Sequence, residues 1–298
     1  MRWILALALV GCDGGSTTDD SSSKTDDSGG GGGIELSKYI NPNVTYSGDT
    51  PCFTPPNWLA QPTLCDGCTA DHALKGWVED FESGDKVPQA DIALFFSDDI
   101  SSSADVEIKA DANGEFSTTV PACTPLGYKT STPAEWEQTK DTYEVHQIWG
   151  FEADGELTEP INSVSVSTSK IIPAMLAVEW EPGTGIIAGT AYDCNEDAIT
   201  GAQVVVRGAD GTIVDADVFY FIDSFPALNQ PETSEDGLWV AVNVPTGTWY
   251  VDMYVWDGSA HQLMGTTVLE IKPDSVNISN VYTGHDDGIY YPDSCIAQ

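Results

Sequence analysis

The chain has 298 residues, 41% of them hydrophobic, and carries 47 acidic against 11 basic side chains, a formal net charge of −36. Such a surface repels phosphate backbones and anionic head groups, which excludes nucleic acid as a partner and favours cations and solubility. The length is enough for one large or two ordinary domains with real cores.

Arg2 is followed by an apolar run over residues 3–10, too short to span a bilayer and proportioned like a signal-peptide core. Leu9-Val10-Gly11-Cys12 resembles the lipobox of bacterial lipoproteins. That resemblance implies removal of residues 1–11 and acylation of the Cys12 thiol and new amino group, which supplies the several lipid chains that stable anchoring requires. The expected location is the cell envelope, lipid-anchored and surface-exposed, with the outer membrane favoured. Residues 12–33 are mostly Gly, Ser, Thr and Asp. That is the composition of a disordered tether.

Apart from Cys12, the cysteines are Cys52, Cys65, Cys68, Cys123, Cys194 and Cys295. An even number in an exported chain predicts three disulfides, with connectivity left open by the spacing. Cys52, Cys65-x-x-Cys68 and His72 also have zinc-ligand spacing. Oxidation on export and the lack of a second knuckle argue against a metal site. Residues 34–73, with Pro55-Pro56-Asn57-Trp58, are expected to form a disulfide-pinned cap on the first domain.

Beyond the cap, short alternating runs are separated by Gly, Asn, Asp and Pro, the pattern of β-strands. Leu238, Val240, Val242 and Val244 alternate with Trp239, Ala241 and Asn243, and Trp249, Val251, Met253 and Val255 alternate with Tyr250, Asp252 and Tyr254. Each run predicts a strand with one buried face. Only residues 133–140, opened by Thr132 and Pro133, read as a helix.

The second half of the chain repeats the first. Gly76 to Asp80 matches Gly189 to Asp193, Val87-Pro88-Gln89-Ala90 matches Ile199-Thr200-Gly201-Ala202, and Asn113-Gly114 matches Asp236-Gly237. Val120-Pro121 matches Val244-Pro245, and Thr142-Tyr143-Glu144-Val145 matches Thr248-Trp249-Tyr250-Val251. The expected units are residues 74–184 and 185–290, joined near Pro182-Gly183-Thr184-Gly185, with residues 291–298 as a tail holding Cys295.

Each copy resembles a carboxypeptidase regulatory-like domain. The second fits best, through Gly189, Asp193, Gly201-Ala202-Gln203-Val204, Asp236-Gly237-Leu238 and Val244-Pro245-Thr246-Gly247. The first departs at Val120-Pro121-Ala122-Cys123, where the turn glycine is missing and Cys123 suggests a local staple. The resemblance implies an all-β protein of two tandem Ig-like/prealbumin-like β-sandwich domains. It carries fold and not function.

No catalytic residues are expected. His72, His146, His261 and His285 fall in no metal or nucleophile motif, and no phosphate-binding glycine loop is present, so no cofactor is implied. Asp111-x-Asn113-Gly114 lacks the distal carboxylate of a calcium loop and reads as a turn. Two aromatic groups are candidate ligand contacts: the outward row Tyr250, Tyr254 and Trp256, and the insertion bearing Phe219, Tyr220 and Phe221. Aromatics placed this way also cover sheet edges or domain interfaces. The expected role is a non-catalytic binding or spacer module contacting an envelope glycan or protein. The alternative is a carbohydrate- or peptide-binding accessory component of a surface hydrolase system.

Overall fold

A computed structural model describes residue 36 and residues 39–42, 44–54, 57–66, 70–81, 83–132, 139–149 and 160–297. The expected leader, Cys12, the expected tether, Cys68 and residues 133–138 of the expected helix lie outside the described residues. The remaining two residues of that helix, Thr139 and Lys140, form a strand.

In chain order the strands are β1 (Asp71–Asp80), β2 (Asp91–Phe95), β3 (Val106–Lys109), β4 (Glu115–Pro121), β5 (Leu126–Ser131), β6 (Thr139–Lys140), β7 (Thr142–Gln147) and β8 (Ile161–Ser165). Helix α1 (Val166–Met175) precedes β9 (Gly185–Tyr192), β10 (Gln203–Arg207), β11 (Asp217–Ile222), β12 (Phe225–Ala227) and β13 (Leu238–Val244). The last strands are β14 (Gly247–Trp256), β15 (His261–Ile271), β16 (Val276–Ile278) and β17 (Val281–Tyr282). The architecture is predominantly all-β, in open sheets of four, three and ten strands.

One pairing scheme occurs twice. β1 pairs antiparallel with β4 and parallel with β8, beside the antiparallel row β2–β5–β7. β9 pairs antiparallel with β13 and parallel with β16, beside the row β10–β14–β15. By pairing, β14 with Thr248-Trp249-Tyr250-Val251 corresponds to β5, whereas the sequence match had set it against β7. Four alternating residues recur in any half-buried strand, so they carry no register. The two sets share one sheet, because β16 inserts between β9 and β7 and runs parallel to both.

One core lies within the first set, and the second set's core also takes in Phe95, Tyr143 and Val145 of the first. Leu74, Val78, Ile92, Leu94, Phe116, Tyr128 and Ile161 pack together in the first. Ile187, Val204, Val206, Trp239, Val251, Met253 and Leu269 pack in the second. β13 departs from the expected one-sided strand. Trp239 and Ala241 enter the second core, while Val240 and Val242 pack in a third cluster with Val164, Leu176, Ile186 and Phe221. Both faces are covered, which accounts for the apolar run from Leu238 to Val242. Close approach also explains Gly189, where an added Cβ would stand 1.9 Å from the Ser279 carbonyl oxygen.

α1 supplies part of the cover over that third cluster, and its sequence, Val-Ser-Thr-Ser-Lys-Ile-Ile-Pro-Ala-Met, hides it. β-Branched residues and an internal Pro173 carry low helix propensity. The Ser165 hydroxyl caps the helix by accepting the Thr168 N–H at 3.0 Å, and Thr168, Ser169 and Pro173 are buried. Packing holds this helix in place of propensity.

The two glycine turns have the expected backbone, with φ of 80° at Gly114 and 65° at Gly237. They do not close hairpins, since β3 and β4 belong to different sheets and β13 pairs with β9 and β11. The Asp111 carboxylate is spent on its own turn, accepting the N–H groups of Asn113 at 2.7 Å and Glu115 at 3.0 Å.

The cysteines pair across the molecule. Cys52 bonds to Cys194 and Cys123 to Cys295, over 142 and 172 residues of sequence. Cys65 is also disulfide-bonded. Cys52 and Cys65 are therefore not zinc thiolates, and Cys123 is a long-range staple in place of the expected local one. The cap follows the same geometry and lies on the second strand set. Ile40 packs with Val205 and Tyr254, Asn41 and Gln203 exchange hydrogen bonds of 2.6 and 3.0 Å, and Ser47 pairs with Thr200. Covering the outer face of β10 and β14 buries Gln203 and Tyr254 there. The chain then crosses to the C-terminal tail, where Leu64 pairs with Ile296 and the Cys65 N–H donates to the Cys295 carbonyl at 3.0 Å.

Candidate functional site

The aromatic candidates occupy three different environments. Tyr250 lies half-buried beneath the Arg207 guanidinium, 4.6 Å from its ring centre. Tyr254 is buried and donates its hydroxyl to Asp252 at 3.3 Å. Trp256 meets His261 edge to face at 5.0 Å. Asp252, read from the alternation as a surface residue, is 1% exposed and anchors this face. It accepts Arg207 Nε at 2.6 Å, Arg207 Nη2 at 3.0 Å and the Thr266 hydroxyl at 2.8 Å. The row is thus organised around a buried ion pair.

The insertion forms the β11–β12 hairpin, an extension of the sheet beyond β13. Phe219 and Phe221 turn toward the third cluster, whereas Tyr220 turns into the second core and its hydroxyl accepts the Val204 N–H at 2.8 Å. The hairpin turns at Asp223 and Ser224, both at positive φ, and the Asp236 carboxylate accepts the Ser224 N–H at 3.0 Å.

Beside α1 and this sheet lies a cavity of about 210 Å³. Ile186, Phe221, Val240, Val276 and Ile278 of the sheet line it together with Ile172 of α1. Phe81, 41% exposed, stands at its margin. Glu144 of β7 is the only ionisable side chain among the described residues lining it. The Tyr128 hydroxyl and Asn162 Nδ2 both donate to Glu144 Oε2, the latter at 3.1 Å. The Tyr128 hydroxyl in turn accepts the Asn162 N–H at 2.8 Å. Burial pushes the Glu144 carboxyl above its ordinary pKa, partly offset by those two donors. Burial and the adjacent Glu144 likewise push the Tyr128 hydroxyl upward.

Sequence reading missed this site because Glu144 alternates with Tyr143 and Val145 as any surface carboxylate would. It also missed a ladder of Tyr192, Tyr282 and Tyr290, stacked at 5.2 and 5.1 Å with His285 against it. Tyr192 lies far in sequence from Tyr282, His285 and Tyr290, and no local pattern joins it to them.

The raised pKa has a pH consequence. An acid whose folded pKa exceeds its unfolded value contributes stability fully present below about 4.5, which is lost as pH rises through the folded value. Tyr128 and Tyr282 are the neighbouring titratable groups whose energies respond to the Glu144 charge, and both are themselves raised. Glu144→Gln keeps an acceptor for Tyr128 and removes the titration. Urea denaturation at pH 5 and pH 8 is expected to show a larger fall with pH in the wild type than in this variant. Equal falls would show that the Glu144 carboxyl titrates alike in the folded and unfolded protein.

Among the described residues no group of three or more His, Cys, Asp or Glu side chains is placed to hold a metal ion. His146, on β7, is committed elsewhere, with Nε2 at 2.5 Å from the Val268 carbonyl and Nδ1 at 3.3 Å from Asp98. No protein-family model and no curated protein matches the chain. Among solved structures it is similar to the Bacillus anthracis TIE protein, at 15% identity and a TM-score of 0.25, over 72% of this chain and 34% of that one. It is also similar to the shaft pilin SpaA from Lactobacillus rhamnosus GG, at 9% identity and a TM-score of 0.24, over 72% and 98%. BcpA, the major pilin subunit of Bacillus cereus, gives 10% identity and a TM-score of 0.23, over 72% and 100%. The chain thus spans about a third of the TIE protein's length. Identities and TM-scores at this level assign neither a family nor a function.

Proposed function

We propose that this chain is an exported, lipid-anchored, non-catalytic protein of the cell envelope whose acidic body acts as a binding or spacer module. The observation that carries this reading is the pair of disulfides Cys52–Cys194 and Cys123–Cys295. Such long-range bonds persist in oxidising compartments and are rare in cytosolic ones. The lipobox-like Leu9-Val10-Gly11-Cys12 supplies the anchor and residues 12–33 the tether, with the outer membrane as the favoured site. The twice-used pairing scheme supports a tandem duplication of a prealbumin-like sandwich, with residues 74–184 and 185–290 as the units.

The test is metabolic labelling with a fatty acid. Wild-type protein is expected to take up label and lose residues 1–11, while Cys12→Ala or globomycin leaves an unlabelled precursor. Normal maturation of Cys12→Ala would remove the anchor from the account.

A second reading, an accessory component that binds a peptide or carbohydrate, draws on the β11–β12 hairpin. Ile222 and Phe225, with Leu228 just beyond it, are large apolar side chains left exposed. Substituting all three with Ser is expected to abolish capture of an envelope partner if this reading holds, with the fold unchanged.

A further inference from the structure

We propose that the cavity beside α1 binds a neutral amphiphile, a short hydrocarbon chain carrying a polyol head. The inference stands on the two-sided lining of the cavity and is independent of membrane anchoring.

Strand register arranges that lining in rows. Ile278, Ala188 and Val240 stand abreast on β16, β9 and β13, and Val276 and Ile186 form the next row. Ile186, Val240, Val276 and Ile278 are buried and make an apolar floor. On the other side of the Ala188 row, Thr190 pairs with Leu238, and Asn280 Oδ1 accepts the Thr190 N–H at 3.0 Å. The Asp236 carboxylate draws Ser224 to the same place, accepting the Ser224 N–H at 3.0 Å and the Leu238 N–H at 3.1 Å. Thr190, Ser224 and Asn280 line the cavity and are half-buried, so they form a neutral polar edge beside the floor.

Other polar groups of the lining are committed elsewhere. Ser169 donates its hydroxyl to the Val166 carbonyl at 3.0 Å, and the Thr168 hydroxyl lies 2.8 Å from that of Ser165. Asn162 Nδ2 is held by Glu144. Trp239 also borders the cavity, but its indole packs in the second core, so its buried, unpartnered Nε1–H is no part of the edge.

The edge selects the head. Thr190 and Ser224 carry hydroxyls that donate and accept, while Asn280, its oxygen spent on Thr190, offers N–H groups. A head with several hydroxyls meets donors and acceptors together, whereas an ammonium has no acceptor for Asn280. No Lys, Arg or His lines the cavity among the described residues, so a carboxylate head finds no counter-charge there. The net charge of −36 repels it as well. The floor selects the tail, since hydrocarbon laid against it leaves water. A dry cavity of about 150 Å³ holds benzene, so about 210 Å³ takes a chain of about six to eight carbons.

Polyol heads occur on acylglycerols and on glycosides, and the probes separate the two. The experiment is calorimetric titration of the folded protein near neutral pH in physiological salt. The probes are 1-monohexanoylglycerol, n-hexyl β-glucoside, 1-hexanol, sodium hexanoate and n-hexylammonium chloride. Saturable binding at one site is expected for the glycerol ester, the glucoside or both, and a response to one alone names the source. 1-Hexanol is expected to bind roughly tenfold more weakly, having lost the further hydrogen bonds of the head. Hexanoate and hexylammonium are expected to bind more weakly than the polyol probe. Thr190→Val combined with Ser224→Ala is expected to weaken the polyol probe roughly tenfold and to leave 1-hexanol unchanged. Ala188→Leu fills the floor and is expected to weaken both. Absence of saturable binding by both polyol probes would overturn the proposal. So would a 1-hexanol, hexanoate or hexylammonium affinity equal to or above theirs, or equal polyol affinity of the double variant and wild type. If the double variant does not fold, the probe series on the wild type and on Ala188→Leu decides alone.

Discussion

Arg207→Ala destabilises the protein by about 3–5 kcal/mol, because it strands the Asp252 carboxylate in the body without its counter-charge. Asp252 is 1% exposed and its two oxygens take both the Nε and Nη2 groups of Arg207. The Thr266 and Tyr254 hydroxyls also donate to it, and they cannot replace the lost charge. Arg207→Lys retains the charge and loses the two-pronged geometry, so it recovers only part of the loss. Arg207→Met combined with Asp252→Leu removes both charges and is expected to lie much closer to wild type than either single change. Urea denaturation of these five variants, the two single changes included, beside wild type checks this. A loss below about 1 kcal/mol for Arg207→Ala would place the pair in water, as for exposed ion pairs.

Removing the Cys123–Cys295 bond has the second large effect. Cys123→Ser with Cys295→Ser is expected to lower stability by about 2–5 kcal/mol, since the bond closes a loop spanning 172 residues of sequence. The damage has a direction. Cys295 holds the C-terminal tail, and that tail gives the 57–65 segment its partners, with the Ala297 N–H donating to the Thr63 carbonyl at 2.8 Å. Hydrogen exchange is therefore expected to accelerate first at Cys65 and Ala297 and last in β13, which is covered on both faces. Uniform acceleration would mean that the tail and body unfold as one unit.

The strands and turns were legible in the sequence because they rest on local chemistry. Alternation marks β14, and Asp-Gly or Asn-Gly marks positive φ at Gly237 and Gly114. The twofold use of one strand set was legible too, through Val120-Pro121 and Val244-Pro245 at the ends of β4 and β13. Long-range features were not. The alternation in β7 and β14 gives no sign that Glu144 and Asp252 are buried, since their partners Asn162 and Arg207 lie elsewhere in the chain. α1 was hidden by β-branched residues and Pro173, which tertiary packing overrides. The cap was assigned to the first domain by adjacency, whereas the Cys52–Cys194 bond and the face of β10 and β14 place it on the second strand set. Phe219, Tyr220 and Phe221 were read as one aromatic group, yet strand periodicity divides them between two cores.

The most direct test is non-reducing peptide mapping with intact-mass measurement on mature protein purified from membranes of the native host. The account predicts a chain beginning at acylated Cys12, cross-linked peptides joining Cys52 to Cys194 and Cys123 to Cys295, and no free thiol. A soluble chain that retains residues 1–11 with an unmodified Cys12 and reduced Cys52 and Cys123 would contradict it.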